Sequence, residues 1–305
     1  QAAHFFPDDA IETARRILHE SKHGLGAYSE SQGLGFVREA VAAFIQDRDG
    51  IPASAENIFL TDGASKGVQA VLNLLVRDDQ DGVMIPIPQY PLYTATLALY
   101  GARMVPYYLD EASGWQLSQK MLQESLDRAR AQGTRVRAIC VINPGNPTGA
   151  VLERKNVDMI LRFARDNDIS VLADEVYQEN IYAEGAAFHS FARALTEAKD
   201  EQVSLFSFHS TSKGFLGECG HRGGYLETRN VPGDVGREIL KLQSVSLCSN
   251  VPGQVAVYLM VATPKEGAPS SKLYKEERDR ILTNLKERAE LLAQGGRPLT
   301  VDGGE

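Results

Sequence analysis

The sequence predicts an α/β protein, a three-layer α/β/α sandwich around a mostly parallel, seven-stranded sheet. Three observations carry that expectation. Short, near-continuous apolar runs alternate along the chain with longer segments whose apolar residues recur at helical spacing. Apolar runs of that kind belong to strands covered by helices on both faces. The composition also supplies enough apolar side chain for a large core, since 43% of the 305 residues are hydrophobic and 24% charged.

The elements follow in order. A helix is expected over Gly35–Arg48, where Phe36, Val37, Ala40, Val41, Phe44 and Ile45 fall on one face. The first strand, Asn57–Leu60, runs into a helix over Ser65–Val76. Strands Val83–Ile87 and Met104–Leu109 come next, then a helix over Leu117–Ala131 and a strand over Arg137–Ile142. A helix over Arg154–Asp166 precedes the strand Ile169–Ala173, and Ser204–Phe208 and Gly224–Glu227 complete the set. Past Val251 the pattern is helical alone, with a long, charged, periodic stretch over Lys272–Leu292. These changes divide the chain into an N-terminal segment (1–23), a large domain (24–250), a helical linker (251–294) and a Gly-rich polar tail (295–305) expected to fray.

The net charge of −8 argues against nucleic acid or an anionic membrane surface as partner, because both require a basic face. No run of ~18 apolar residues predicts a transmembrane helix. The three cysteines, Cys140, Cys219 and Cys248, are sparse, odd in number and not at metal-ligand spacing, which fits a reducing compartment. The six histidines show no ligand spacing either, so no metal is expected. The chain opens on Gln1 without a signal-peptide pattern. The expected compartment is the cytoplasm, with the mitochondrion as the alternative.

In sheets of this type ligands gather at the carboxyl ends of the strands, so the loops that follow strands carry the candidate chemistry. After Ser204–Phe208 comes a small-polar stretch ending in Ser210-Thr211-Ser212-Lys213-Gly214, then a glycine-rich turn bearing Arg222. A lysine at a strand end, able to deprotonate, suits Schiff-base chemistry, and hydroxyls with an arginine suit phosphate. A lysine in a Ser-rich loop is, taken alone, a solvated surface residue. After Arg137–Ile142 comes Asn143-Pro144-Gly145-Asn146-Pro147-Thr148-Gly149, whose two Asn-Pro steps fix a rigid loop and aim the Asn146 amide. Its bland reading is a tight turn. After Ile169–Ala173 comes Asp174-Glu175-Val176-Tyr177. An aspartate at the end of a buried strand needs a cation, such as a protonated pyridine nitrogen, or else caps a helix. Thr61-Asp62-Gly63-Ala64-Ser65 joins a strand to a helix, where backbone N–H groups and the Ser65 hydroxyl make an anion site or merely an ordinary helix start. Tyr90 could stack on a flat heterocycle, and Tyr28 stands in a loop before a helix. For each tyrosine alone, packing is the commoner role.

Four strings taken together resemble the fold-type I, class I/II aminotransferases, and within that family the alanine aminotransferases. They are PIPQYPLY at 86–93, VINPGNPTG at 141–149, LADEVYQ at 172–178 and SFHSTSKGFLGECGHRGGY at 207–225. The resemblance runs from about residue 24 to 292. It implies the large domain of a pyridoxal-phosphate-dependent transferase. It further implies that Lys213 bonds the cofactor, Asp174 pairs with its ring nitrogen, and Asn146 and Tyr177 bind its phenolic oxygen. Tyr90 stacks on the ring, Ala64, Ser65, Ser210 and Arg222 hold the phosphate, and Tyr28 reaches the site of the other subunit of a homodimer. The catalytic set implied is Lys213, Asp174 and Tyr177. The implied reaction moves an amino group between L-alanine and 2-oxoglutarate. Another enzyme on the same cofactor, a lyase or a 1-aminocyclopropane-1-carboxylate-synthase-like eliminase, is the first alternative, and an inactive interaction protein the second. The family pattern also implies a C-terminal small domain with an arginine for the substrate carboxylate. That domain is expected to be largely absent here, and the terminal GGRPLTVDGGE does not match the family.

Overall fold

A computed structural model of the chain describes residues 5–295. Its centre is a seven-stranded sheet formed by β1 (Ile58–Asp62), β2 (Asp81–Ile87), β3 (Arg103–Tyr108), β4 (Arg135–Ile142), β5 (Ser170–Asp174), β6 (Leu205–Ser210) and β7 (Gly223–Arg229). The spatial order is β1-β7-β6-β5-β4-β2-β3. Pairings from β3 through β2, β4 and β5 to β6 are parallel, whereas β7 is antiparallel to both β6 and β1. The expected mostly parallel sheet is present, and each expected strand lies within a few residues of its observed bounds.

The helices are α1 (Asp8–Glu20), α2 (Gly35–Asp49), α3 (Ala64–Leu75), α4 (Leu92–Leu99), α5 (Gln119–Ala131), α6 (Arg154–Asn167), α7 (Phe191–Glu197), α8 (Gly233–Ser244), α9 (Val251–Val261) and α10 (Ser271–Gly295). Strand side chains alternate between faces, and the core divides accordingly. Met84, Ile139, Val171 and Leu205 pack with Leu122 and Leu126 of α5, Ile160 and Phe163 of α6 and Phe191 of α7. Their strand neighbours Val83, Ile85, Cys140, Leu172 and Phe206 point the other way, onto Val68 and Leu72 of α3, Tyr93 and Leu97 of α4 and Ile239 of α8. That is the three-layer arrangement. A third cluster joins Val37, Val41 and Ile45 of α2 to Val257 and Tyr258 of α9 over Ile58, Leu60 and Tyr225.

Sequence periodicity does not single out α1, α4, α7 or α8. In α4 apolar and small residues occupy nearly every position, so there is no polar face to reveal a helical period. α7 spans seven residues, about two turns, too short a window for a period to emerge. α8 carries Gly233 and Gly236, which weaken its local preference. The tail expected to fray, 295–305, lies outside the described residues apart from Gly295.

Candidate active site

Strand direction decides where the site falls. β1 to β6 all run one way, so their carboxyl ends share one edge of the sheet. β7 runs the other way, and its amino end, immediately after Arg222, therefore meets that same edge. The loops after β1, β2, β4, β5 and β6 and the turn before β7 converge there on a cavity of about 190 Å³. Its walls include Ala64, Ser65, Tyr90, Asn146, Asp174, Tyr177, Ser210, Lys213 and Arg222, which is every residue the sequence singled out except Tyr28. Tyr28 is 75% exposed and lies outside the cavity wall. Leu92, Ile142, Val176, Ser212 and Cys219 also line the cavity and were not singled out. Each is adjacent to, or within a few residues of, an assigned position, which is the signal that could have found them.

One group of these side chains forms an anion-binding cradle. Arg222, at φ +53°, turns back toward α3, and its Nη2 donates to Ser65 Oγ at 3.1 Å and to the Asp62 carbonyl at 3.2 Å. Gly63 precedes α3 without capping it through a side chain, at φ +74°. A Cβ at Gly63 would stand 2.3 Å from Arg222 Nη2, so glycine is required for the guanidinium to approach. Gly224 meets the same backbone, since a Cβ there would lie 2.7 Å from the Gly63 carbonyl carbon. A guanidinium, three serine hydroxyls and a helix start facing one cavity are the donor set of a phosphate monoester.

A second group surrounds Lys213. Its Nζ lies 5.1 Å from the centroid of the Tyr177 ring. The Tyr177 hydroxyl accepts a hydrogen bond from Asn146 Nδ2 at 3.1 Å, so the amide and the phenol already share an orientation before any ligand arrives. The Asn143–Gly149 loop holds that amide in place: Asn143 Oδ1 accepts from Leu152 N at 2.9 Å and Gly145 N donates to the Ala150 carbonyl at 2.8 Å. It is more than a bare turn.

The third group centres on Asp174, which is 6% exposed at the end of β5. No helix follows it, so its carboxylate does not serve as a helix cap. Oδ2 accepts the Tyr93 hydroxyl at 2.8 Å, and Oδ1 has a long contact to Val176 N at 3.4 Å. Burial pushes this carboxyl above the usual range, against the Tyr93 hydrogen bond, the Val176 N–H and the charge of Lys213. A buried carboxylate in that position is costly until a cation meets it from the cavity, and a protonated ring nitrogen answers that need. The anion cradle, the amine and the buried carboxylate together fit pyridoxal phosphate.

Tyr93 was not found from the sequence, although it stands in the quoted 86–93 string. Tyr93 is the second residue of α4, three positions after Tyr90 in that string, and this nearness is its only trace in the sequence.

Behind the site lies a buried polar layer. Arg48 Nη1 donates to Gln178 Oε1 at 2.7 Å, and its Nε donates to Asp49 Oδ1 at 2.8 Å. Asp49 Oδ2 accepts from Ser190 Oγ at 2.8 Å, and Glu175 Oε1 accepts from Phe191 N at 2.9 Å. Loop 174–178 is thereby tied to α2 and to the start of α7.

Comparisons with known proteins give the family. The family described as "Aminotransferase class I and II" matches residues 1–301, and the chain belongs to it. The chain is 49% identical over 291 residues to an alanine aminotransferase 2, mitochondrial, of Arabidopsis thaliana, covering 94% of this chain and 54% of that protein. It is 49% identical over 297 residues to alanine aminotransferase 1 of Homo sapiens, covering 95% and 60% respectively. A glutamate–glyoxylate aminotransferase 1 of Arabidopsis thaliana is 48% identical over 293 residues, covering 95% and 61%. The chain thus spans somewhat over half the length of these relatives. Among solved structures, an alanine aminotransferase from Pyrococcus furiosus superposes with a TM-score of 0.75 at 27% identity, covering 95% of this chain and 68% of that one.

Proposed function

We propose that the chain is the cofactor-binding part of a transaminase that moves an amino group between L-alanine and 2-oxoglutarate, giving pyruvate and L-glutamate. The observation that carries this reading is the single cavity joining Lys213, Asp174 and Arg222 at one edge of the sheet. Pyridoxal phosphate, when bound, supplies the electron sink that makes the α-hydrogen of an amino acid removable. Ser65, Ser210, Arg222 and the start of α3 hold its phosphate. The Asp174 carboxylate would keep a proton on its ring nitrogen. Asn146 Nδ2 and Tyr177 Oη bind its phenolic oxygen, and Tyr90 covers its ring. Lys213 Nζ would anchor the cofactor and, when free, would carry the proton removed from the substrate α-carbon, as base and then as acid.

The choice of L-alanine rests on the names of the relatives and on the four strings. Glyoxylate as amino acceptor is the second reading, favoured by the 48% identity to a glutamate–glyoxylate aminotransferase. Tyr28, exposed and outside its own cavity, fits a homodimer in which it serves the neighbouring subunit's phosphate site. Relatives named mitochondrial keep that compartment beside the cytoplasm in the proposal.

The test combines product analysis with labelling. With L-alanine and 2-oxoglutarate, pyruvate and glutamate are expected in equal amounts. Borohydride reduction of the cofactor-loaded protein, followed by peptide mapping, is expected to mark Lys213, and Lys213→Ala to abolish both results. Ammonia released without glutamate would replace transamination by elimination. A label on another lysine, or no visible absorbance on adding cofactor, would remove the assignment.

A further inference from the structure

We propose that Asn180 is a positioning residue for Lys213, clasping the lysine turn to the loop that carries Tyr177. The inference rests on Lys213 being the cofactor-bearing lysine.

The residue that follows Lys213 is Gly214, and both of its backbone polar groups face Asn180. Gly214 N donates to Asn180 Oδ1 at 2.9 Å, and Asn180 Nδ2 lies 3.4 Å from the Gly214 carbonyl. A backbone N–H can only donate, so the amide oxygen must face it, and the amide nitrogen is left for the carbonyl and for Tyr182 Oη at 2.9 Å. The side chain has one orientation that satisfies all three contacts. On its own side Asn180 is anchored by its backbone N–H, which donates to the Tyr177 carbonyl at 2.8 Å. One amide therefore fixes the distance between the turn bearing the Lys213 amine and the turn bearing the Tyr177 phenol.

The fit around Gly214 is close. Its φ is +67°, and a Cβ there would lie 2.5 Å from Glu179 Oε2. Glu179 is itself held by Arg278 of α10 at 3.3 Å. Residues 177–180 thus form a seat for the lysine turn, and Asn180 is the member that hydrogen-bonds into it. Asn180 does not line the cavity, so it acts through Gly214 and not on substrate. The need for such a seat follows from the lysine itself. A four-carbon stem is flexible, so the position of the amine depends on where its backbone stands, and a displacement of 1 Å at a reacting group can cost about a hundredfold in rate.

The experiment compares the wild-type chain with Asn180→Ala and Asn180→Asp. Amide hydrogen exchange at Gly214 is followed in the cofactor-free protein. The pH midpoint of the visible band of bound pyridoxal phosphate and the kcat and KM for L-alanine are followed in the loaded protein. Asn180→Ala is expected to speed Gly214 exchange and to lower kcat, each on the order of tenfold, to shift the midpoint, and to leave KM within about twofold. Asn180→Asp keeps the acceptor for Gly214 N and is expected to keep its slow exchange, with a smaller loss of kcat. The proposal is overturned if Asn180→Ala leaves Gly214 exchange at the wild-type rate, or speeds it while kcat and midpoint stay put. If Asn180→Ala does not fold, Asn180→Asp decides: slow exchange with kcat within about threefold supports the clasp, and slow exchange with a hundredfold loss overturns it. Borohydride label in the wild type on a lysine other than Lys213 would instead sink the underlying assignment, independently of these variants.

Discussion

Tyr93 Oη donates to Asp174 Oδ2 at 2.8 Å from a position with no solvent exposure. The two residues are 81 apart in sequence. The bond supports the charge of a carboxylate that burial opposes, and burial with the nearby carboxylate pushes the Tyr93 phenol well above its ordinary value, so it remains a donor. Tyr93→Phe removes the donor and keeps the ring. The Asp174 carboxyl should then rise further, moving the acid limb of the kcat profile to higher pH. A hydrogen bond to a charged group is worth ~1.5–3 kcal/mol, so kcat should fall about ten- to a hundredfold. A pH–rate profile on purified variant protein checks it. An unmoved acid limb with kcat within about twofold would reduce Tyr93 to packing.

Arg222→Met should weaken cofactor binding through the phosphate alone. The guanidinium is the cradle's formal cation, already oriented by Ser65 Oγ and the Asp62 carbonyl. Its loss should raise the Kd for pyridoxal phosphate about ten- to a hundredfold and leave the Kd for phosphate-free pyridoxal nearly unchanged. Absorbance titrations with both ligands read the difference. Equal weakening for both would point to a general loss of structure.

Glu175 predicts a pH dependence of stability. Burial holds its folded carboxyl up at about 8, from an ordinary 4.5, despite the attraction of Arg48. Between those values the folded chain holds more protons than the unfolded one, so this group's contribution to stability falls as pH rises. His209 acts with the opposite sign. Burial, then the charge of Arg48, pushes it down from 6.5 to about 3, so its contribution rises with pH across that lower window and is flat above 6.5. From pH 6.5 to 8, then, Glu175 sets the slope of this pair. Glu175→Gln keeps an acceptor for Phe191 N and cannot ionise. Wild type should lose on the order of 2 kcal/mol more than the variant over that interval in urea unfolding. Parallel curves would show a carboxylate already ionised beside Arg48 at pH 6.5.

Shared sites predict complementation between inactive subunits. Tyr28→Arg and Lys213→Ala should each be inactive alone. Mixed and allowed to exchange, they should regain activity, because one site of each heterodimer then carries both original residues. Confirmed exchange without recovery would confine Tyr28 to its own subunit.

Apart from Tyr28, the cofactor-site residues were legible because each lies at or beside the end of a strand. Asp174 ends β5, Lys213 and Asn146 stand within four residues of the ends of β6 and β4, Arg222 directly precedes β7, and apolar runs mark those strands in any reading. Local pattern showed which loops carry chemistry and the α/β class, and with the family resemblance it named nine of the fourteen residues lining the cavity. It could not show how distant loops pair. Arg222 meets Ser65 across 157 residues and Asn180 meets Gly214 across 34, and neither bond leaves a trace in spacing or periodicity. Only the tertiary structure decided those pairs, and the reason is strand order. β7 inserts antiparallel between β1 and β6, which brings the turn before it to the edge where the other strands end, and helix α4 carries Tyr93 beneath Asp174. Side-chain type sets what a residue can do, whereas the order and direction of strands set which partner it does it with.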